Sequence, residues 1–78
     1  MKAEERDQMC KVILEMVSRG YVHWSDLHKK VLGSCHPFAT HATFRSQLRY
    51  LLQKGFIKKE GRGIYQITDV GKKYLEII

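Results

Sequence analysis

The sequence predicts a small α+β domain that is mostly helical. Apolar residues recur at helical spacing in successive segments, which indicates amphipathic helices. Two short β-prone runs flank a Gly-Arg-Gly tripeptide, a pattern typical of a β-hairpin. The chain has 78 residues, of which 44% are hydrophobic and 28% charged, and this suits one soluble domain with one core. We therefore expect a single domain over residues 1–78, too small for the large enzyme folds.

The N-terminal part of the chain predicts one long helix. In residues 3–19 the apolar side chains of Met9, Ile13 and Val17 lie at helical spacing. Acidic residues occupy the first turns, where the helix dipole favours negative charge. Residues 21–23 are β-prone, but three residues cannot form a stable strand alone.

Two further helices follow, and each has a candidate N-cap. Ser25 is the expected cap of a short helix over residues 26–32, and Thr40 is that of the third helix, about 40–54. The third helix has one apolar stripe, and all the charges on its outer face are positive. The link between the two helices, residues 33–39, contains the only proline and predicts a loop.

The C-terminal part predicts a hairpin and a last helix. Residues 56–67 form the expected hairpin, with Gly61-Arg62-Gly63 at its tip. Thr68 is a candidate cap for a helix over residues 69–78. Apolar residues lie on more than one side of this helix. Its apolar surface is therefore larger than the surface needed to pack on one small core.

Positive charge is concentrated in the middle of the chain. The whole chain has a net charge of +6, whereas residues 29–62 alone carry +7 and residues 1–28 carry −1. A merely solvated surface predicts a more even spread, so this concentration indicates an anionic polymer or surface as partner. A helix about 10–12 Å in diameter fits the major groove of DNA, which is about 12 Å wide. The third helix and the hairpin tip both belong to the basic part.

Metal, catalytic and disulfide chemistry have weaker support. Cys35, His36 and His41 are close in sequence, but the chain has no CxxC pair and no HxxxH pair on one helix, and structural zinc sites normally show tighter pair spacing. No nucleophile, base and acid form a catalytic set, so we expect no enzyme, no small-molecule substrate, no cofactor and no metal. Cys10 and Cys35 are expected to be reduced and buried, with a bridge between them or to another chain as the alternative.

The sequence also favours an intracellular location. No apolar run approaches the roughly 18 residues of a transmembrane helix, and the N-terminus is charged where a signal peptide is apolar. We therefore expect a cytoplasmic, nucleoid-associated protein with no membrane partner.

Two runs of the sequence resemble the winged-helix family of DNA-binding proteins. Within residues 45–57 the pattern Leu-x-x-Leu-x-x-x-Gly-Phe-Ile looks like the end of a recognition helix and the start of a wing. Residues 65–75 are similar to the Tyr-x-Leu-Thr-x-x-Gly-x-x-x-Leu run that closes the wing and opens the last helix. With Ser25-Asp26-Leu27 at a helix start, the resemblance covers nearly the whole chain. The chain looks like the compact stand-alone winged-helix proteins of archaea, archaeal viruses and plasmids.

The resemblance implies a winged helix-turn-helix fold, with a three-helix core, a β-hairpin wing and a C-terminal helix. It implies sequence-specific binding of double-stranded DNA and transcriptional regulation. The third helix then lies in the major groove, and the wing, about 56–67, lies on the flanking backbone or minor groove. By position, the DNA-facing residues are Thr40, His41, Thr43, Arg45, Ser46 and Arg49 of the third helix and Lys58, Lys59 and Arg62 of the wing.

One segment departs from the family pattern. The turn between the second and third helices is often three or four residues in the family, whereas here it has about seven. Residues 36–39 are therefore a second candidate for the binding surface, and Phe38 is expected in the core. Trp24 is expected as a core or interface anchor.

A homodimer is also expected, because two-fold dimers that read paired half-sites are the usual way for a small domain to raise its affinity. The candidate interface is the apolar part of the last helix, Tyr74, Leu75, Ile77 and Ile78, with the first helix as a further candidate. Two alternatives to gene regulation stay open. Winged helices also serve as protein-interaction modules in larger assemblies, and a basic domain can bind nucleic acid non-specifically as an architectural protein.

Overall fold

A computed structural model describes residues 3–35 and 39–78. Within them the elements are α1 (Ala3–Ser18), α2 (Trp24–Ser34), α3 (His41–Gln53), β1 (Ile57–Gly61), β2 (Ile64–Ile67) and α4 (Asp69–Ile77). The two strands form an antiparallel hairpin. The structure is therefore α+β and mostly helical, as predicted, and this arrangement is compatible with a winged helix. The expectations for Phe38 and for residues 36–39 as a binding surface concern residues 36–38, which lie outside the described part.

The core lies where α1, α2 and α3 meet. Met9, Ile13 and Leu14 of α1 have no exposed surface, and neither do Leu27 of α2 and Phe44 of α3. Full burial of one such side chain stabilises the fold by about 1.5–3 kcal/mol. The helical spacing of these apolar residues thus explains why three amphipathic helices pack face to face.

A polar contact crosses this core between α1 and α3. The Cys10 thiol donates a hydrogen bond to Gln47 Oε1 over 3.2 Å, and both residues are buried. Burial, with a smaller contribution from Asp7, raises the pKa of the Cys10 thiol to about 11. Cys35 is also a buried free thiol, and desolvation raises its pKa as well.

The prediction that Ser25 caps α2 is wrong. The helix begins at Trp24, its N-cap is His23, and no side chain makes a capping hydrogen bond there. The helix also continues past Gly33 to Ser34, so it exceeds the predicted range by two residues at each end. Local sequence signals underestimated this helix because its start is fixed by tertiary contacts.

Those tertiary contacts come from the hairpin. The backbone N–H of Trp24 donates to the Gly63 carbonyl oxygen over 2.8 Å, which satisfies an N–H that a cap would otherwise serve. The N–H of Tyr65 donates to the Val22 carbonyl oxygen over 2.8 Å, and His23 forms an isolated antiparallel bridge to the hairpin. The β-prone segment before α2 therefore pairs with β2.

The caps predicted for the other helices are confirmed. Thr40 Oγ1 accepts from the backbone N–H of Thr43, and Thr43 Oγ1 accepts from the N–H of Thr40, which is a reciprocal capping box. At the start of α4, Thr68 Oγ1 accepts from the N–H of Gly71. Gly55 ends α3 with a φ of 79°, a backbone conformation that glycine adopts without strain.

The last helix packs closely on the turn between α3 and β1. Gly71 is buried, and a Cβ atom there would overlap the carbonyl oxygen of Phe56 and lie 2.9 Å from Ile67 Cγ1. The same Phe56 oxygen accepts a hydrogen bond from the N–H of Thr68 over 3.0 Å. The rings of Phe56 and Tyr74 stack with centroids 4.3 Å apart. Glycine at position 71 thus permits the close approach that the packing requires.

None of the helices in the described ranges combines the length and apolar content needed to cross a bilayer.

Candidate functional site

An open depression of about 700 Å³ lies between the outer face of α3, the hairpin and the start of α2. Its polar lining consists of His41, Arg45, Ser46, Arg49 and Lys59, and its apolar lining of Trp24, Ala42, Leu48, Leu52 and Tyr65. We call this depression the basic groove. No acidic side chain of the described residues contributes to its lining.

Helical geometry explains how α3 supplies one side of the basic groove. His41, Arg45 and Arg49 are four residues apart, so their side chains follow one another along one face at Cβ spacings of about 5–6 Å. All three are exposed, as is Ser46 beside them. The adjacent face carries the fully buried Phe44, which anchors the helix. The core thus holds α3 with its two arginines facing solvent.

The hairpin contributes only one of its two lysines to the groove. Neighbouring residues of a strand point to opposite faces, and Lys59, paired in register with Tyr65, lines the groove. Lys58 forms a salt bridge with Glu60, with 3.0 Å between Nζ and Oε1. Arg62 is exposed at the hairpin tip, outside the lining of the groove.

Two of the predicted threonines already have partners. The hydroxyl of Thr43 donates to the Thr40 carbonyl oxygen over 3.0 Å, and both hydroxyls take part in the capping box. Their polar atoms therefore stabilise the start of α3. Of the nine predicted DNA-facing residues, the groove brings together His41, Arg45, Ser46, Arg49 and Lys59, and leaves out Thr40, Thr43, Lys58 and Arg62.

The basic side chains of residues 29–62 are close in sequence, but most of them lie outside the groove. Of the eight basic residues, only Arg45, Arg49 and Lys59 line the groove. The Lys30 ammonium lies 5.2 Å from the Tyr21 ring centroid, and that of Lys54 packs on another tyrosine. Such cation–π contacts contribute about 0.5–1 kcal/mol at exposed sites. Three of the eight basic side chains of this segment therefore line the groove directly, and the other five lie outside its lining.

Several contributors to the groove were missed by sequence reasoning. Trp24 was expected only as an anchor, yet its ring lines the groove and stacks on His28 with centroids 4.8 Å apart and an interplanar angle of 10°. Tyr65 lines the groove from β2. The register of the hairpin carries a signal for Tyr65, because directly paired residues of two antiparallel strands lie on the same face and Tyr65 pairs with Lys59. His28 lies beside His41, a proximity that no spacing rule indicates.

The residues predicted for a dimer interface do not form one continuous exposed face. Tyr74, Leu75 and Ile78 are partly buried against the core of this chain. Ile77 is 80% exposed, and Val70 is 56% exposed two turns earlier on the same side of α4. The exposed apolar surface of α4 is therefore centred on Val70 and Ile77.

Comparison of the chain with protein-family models, curated proteins and solved structures found no match in any of the three.

Proposed function

We propose that this protein is a winged helix-turn-helix transcriptional regulator that binds double-stranded DNA sequence-specifically. In this proposal α3 enters the major groove, and the hairpin contacts the flanking backbone or minor groove. The observation that carries it is the pairing of Arg45 and Arg49 on exposed α3 with Lys59 of the hairpin in one groove without acidic lining residues.

The chemistry of the two sides of the groove matches two parts of DNA. An arginine binds guanine O6 and N7 with two hydrogen bonds, and lysine binds phosphate as a point charge. Ala42 and Ser46 have short side chains, so the helix backbone can approach the base edges closely. The side chains of α3 would thus read bases, and Lys59 would hold the backbone.

The test is a fluorescence anisotropy titration of labelled duplex with the R45A/R49A double variant. We expect a loss of roughly 2–4 kcal/mol, a factor of about 30 to 1,000 in Kd, because the base contacts proposed for both arginines are removed. The matched control is K72A/K73A, which removes the same charge from exposed positions on α4 outside the groove. An equal loss in both variants would contradict the role of the groove, since it would show only a dependence on net charge.

A second measurement separates sequence-specific from architectural binding. Selection of bound sequences from a random duplex pool should enrich one motif, and binding should weaken with salt by about 0.9 in the log–log slope for each phosphate neutralised. Recovery of an unenriched pool would indicate an architectural role. Failure to bind any duplex at low salt would exclude the proposal and leave the protein-interaction module.

We propose in addition that the protein forms a homodimer through α4 and acts in the cytoplasm on the nucleoid. The support is the exposed apolar pair Val70 and Ile77, which a second copy would cover. Light scattering should show dimers for the wild type and monomers for Ile77→Glu, because a buried unpaired carboxylate is costly. Gln53→Glu adds the same charge at an exposed position on α3 and should stay dimeric. Dimers of Ile77→Glu would refute this interface.

A further inference from the structure

Two histidines from different helices meet at the edge of the basic groove. His28 Nε2 of α2 and His41 Nδ1 of α3 form a hydrogen bond of 3.2 Å, in which the tautomers decide the donor, although the residues are 13 positions apart in sequence. Their ring centroids are 5.1 Å apart with an interplanar angle of 70°. The pair is reachable from solvent, since His41 is exposed and His28 is half-buried.

The separation of the two nitrogens matches that of two ligands on one metal ion. Histidine nitrogens bind Zn²⁺ at about 2.0–2.1 Å, so two of them in a tetrahedral arrangement lie about 3.3 Å apart. The observed 3.2 Å differs little from this value. Binding of a metal ion would replace the hydrogen bond between the rings, and both rings would rotate so that their lone pairs meet at the ion. Each ring then carries its proton on the other nitrogen, so neutral histidines change tautomer without releasing a proton.

The surroundings hold one of the two rings in place. His28 stacks on Trp24 and makes an edge contact to Phe44, with centroids 5.4 Å apart. Phe44 is fully buried, so this support is part of the core. Neighbours that fix the orientation of a histidine serve the same purpose around known metal ligands, where they raise affinity.

From this geometry we infer that His28 and His41 form a site for a divalent transition-metal ion that joins α2 to α3. Imidazole suits Zn²⁺, Cu²⁺ and Ni²⁺, whereas Mg²⁺ prefers oxygen ligands. Among the described residues no three His, Cys, Asp or Glu side chains lie close enough together to hold a metal ion, so water completes the coordination of an ion bound by the pair. The site shares His41 with the basic groove, but metal binding there does not require the proposed DNA binding.

The strength of the metal–nitrogen bond decides which divalent metal binds best. His41 is the first residue of α3, where the helix dipole disfavours a cation, and Arg45 lies one turn further along. This repulsion is the same for every divalent ion, so the order of affinities should follow the strength of the metal–nitrogen bond. Cu²⁺ should bind more tightly than Zn²⁺, and Mg²⁺ should not bind.

The test is calorimetric titration of tag-free protein with Zn²⁺ and with Cu²⁺. We expect one saturable site, a loss of at least tenfold in affinity for His41→Gln and His28→Gln, and unchanged affinity for His23→Gln. His23 is the matched control, because it is an exposed histidine at the start of α2 outside the pair. The absence of saturable binding, or an equal loss in His23→Gln, would overturn the inference.

A second readout keeps the test valid if His28→Gln folds poorly. A ligand that binds only the native state raises the melting temperature. Zn²⁺ should therefore raise the melting temperature of the wild type and of His23→Gln but not that of His41→Gln, whose exposed side chain is dispensable for the core. A Zn²⁺-dependent rise retained in His41→Gln would exclude the site.

Discussion

Replacing Gly71 by alanine should destabilise the protein, although alanine is the better helix former. The substitution gains about 1 kcal/mol of helix propensity. Against this, the added Cβ would overlap the Phe56 carbonyl oxygen and crowd Ile67 Cγ1 at 2.9 Å. Overpacking costs about 1–3 kcal/mol, and a backbone atom cannot rotate away as a side chain can.

The hydrogen bond from the Thr68 N–H to the same Phe56 oxygen adds to the loss. If α4 shifts outward to relieve the overlap, this bond of 3.0 Å lengthens, at a cost of about 1 kcal/mol. We expect a net destabilisation of about 1–3 kcal/mol for Gly71→Ala, and a melting temperature lower by roughly 5–20 °C in a domain of this size.

Thermal and urea unfolding followed by circular dichroism measure this change. The matched control is Gly33→Ala, because Gly33 is also helical but a Cβ there would meet nothing within 4 Å. This control should stabilise the protein by up to about 1 kcal/mol. If Gly71→Ala is as stable as the wild type while the control gains stability, the close approach of α4 to the turn is refuted.

Two further predictions concern a buried thiol and the two lysines of the hairpin. Because burial raises the pKa of Cys10 from 9.0 to about 11, the protonated thiol stabilises the fold below pH 9 and this contribution is lost as the pH rises to about 11. Urea unfolding across that range should show a fall in the free energy of unfolding on the order of 2 kcal/mol in the wild type and a smaller fall in Cys10→Ala. Parallel pH profiles for the two proteins would disprove this contribution of Cys10. Lys59→Ala should weaken duplex binding several-fold in competition titrations, whereas Lys58→Ala, whose side chain pairs with Glu60, should change it little. A larger loss of affinity for Lys58→Ala than for Lys59→Ala would contradict the conclusion that Lys59 faces the groove.

Local sequence signals predicted the elements whose ends depend on local chemistry. Thr40 and Thr68 were identified as caps because a threonine hydroxyl bonds an N–H only three residues away. Ser25 failed as a cap because the first turn of α2 bonds to the hairpin, about 40 residues later, and no local pattern contains that information. Prediction of a helix end from sequence is thus restricted by the sequence distance between the two partners of the capping hydrogen bond.

The same distinction applies to the candidate site. Periodicity placed Arg45 and Arg49 together, since both lie on one helix. It did not separate Lys58 from Lys59, because that requires knowing which face of the hairpin turns toward α3. Nor did it bring His28 to His41, which depends on how two helices pack across their connection.

The two backbone hydrogen bonds that join the start of α2 to the hairpin reduce the conformational entropy that the hairpin would lose on binding a ligand. An isolated two-stranded hairpin is marginally stable in water, and ordering one residue costs about 1–2 kcal/mol. Because Trp24 and Val22 hold the hairpin to the helices, this cost is met during folding and does not reduce the affinity for a ligand. The backbone of the hairpin, and with it that of Lys59, is consequently held in place relative to the helices. In the proposed complex with DNA, the fixed separation between α3 and the hairpin would favour duplexes whose phosphates have a matching spacing. The protein would then discriminate among duplexes by their shape as well as by their bases.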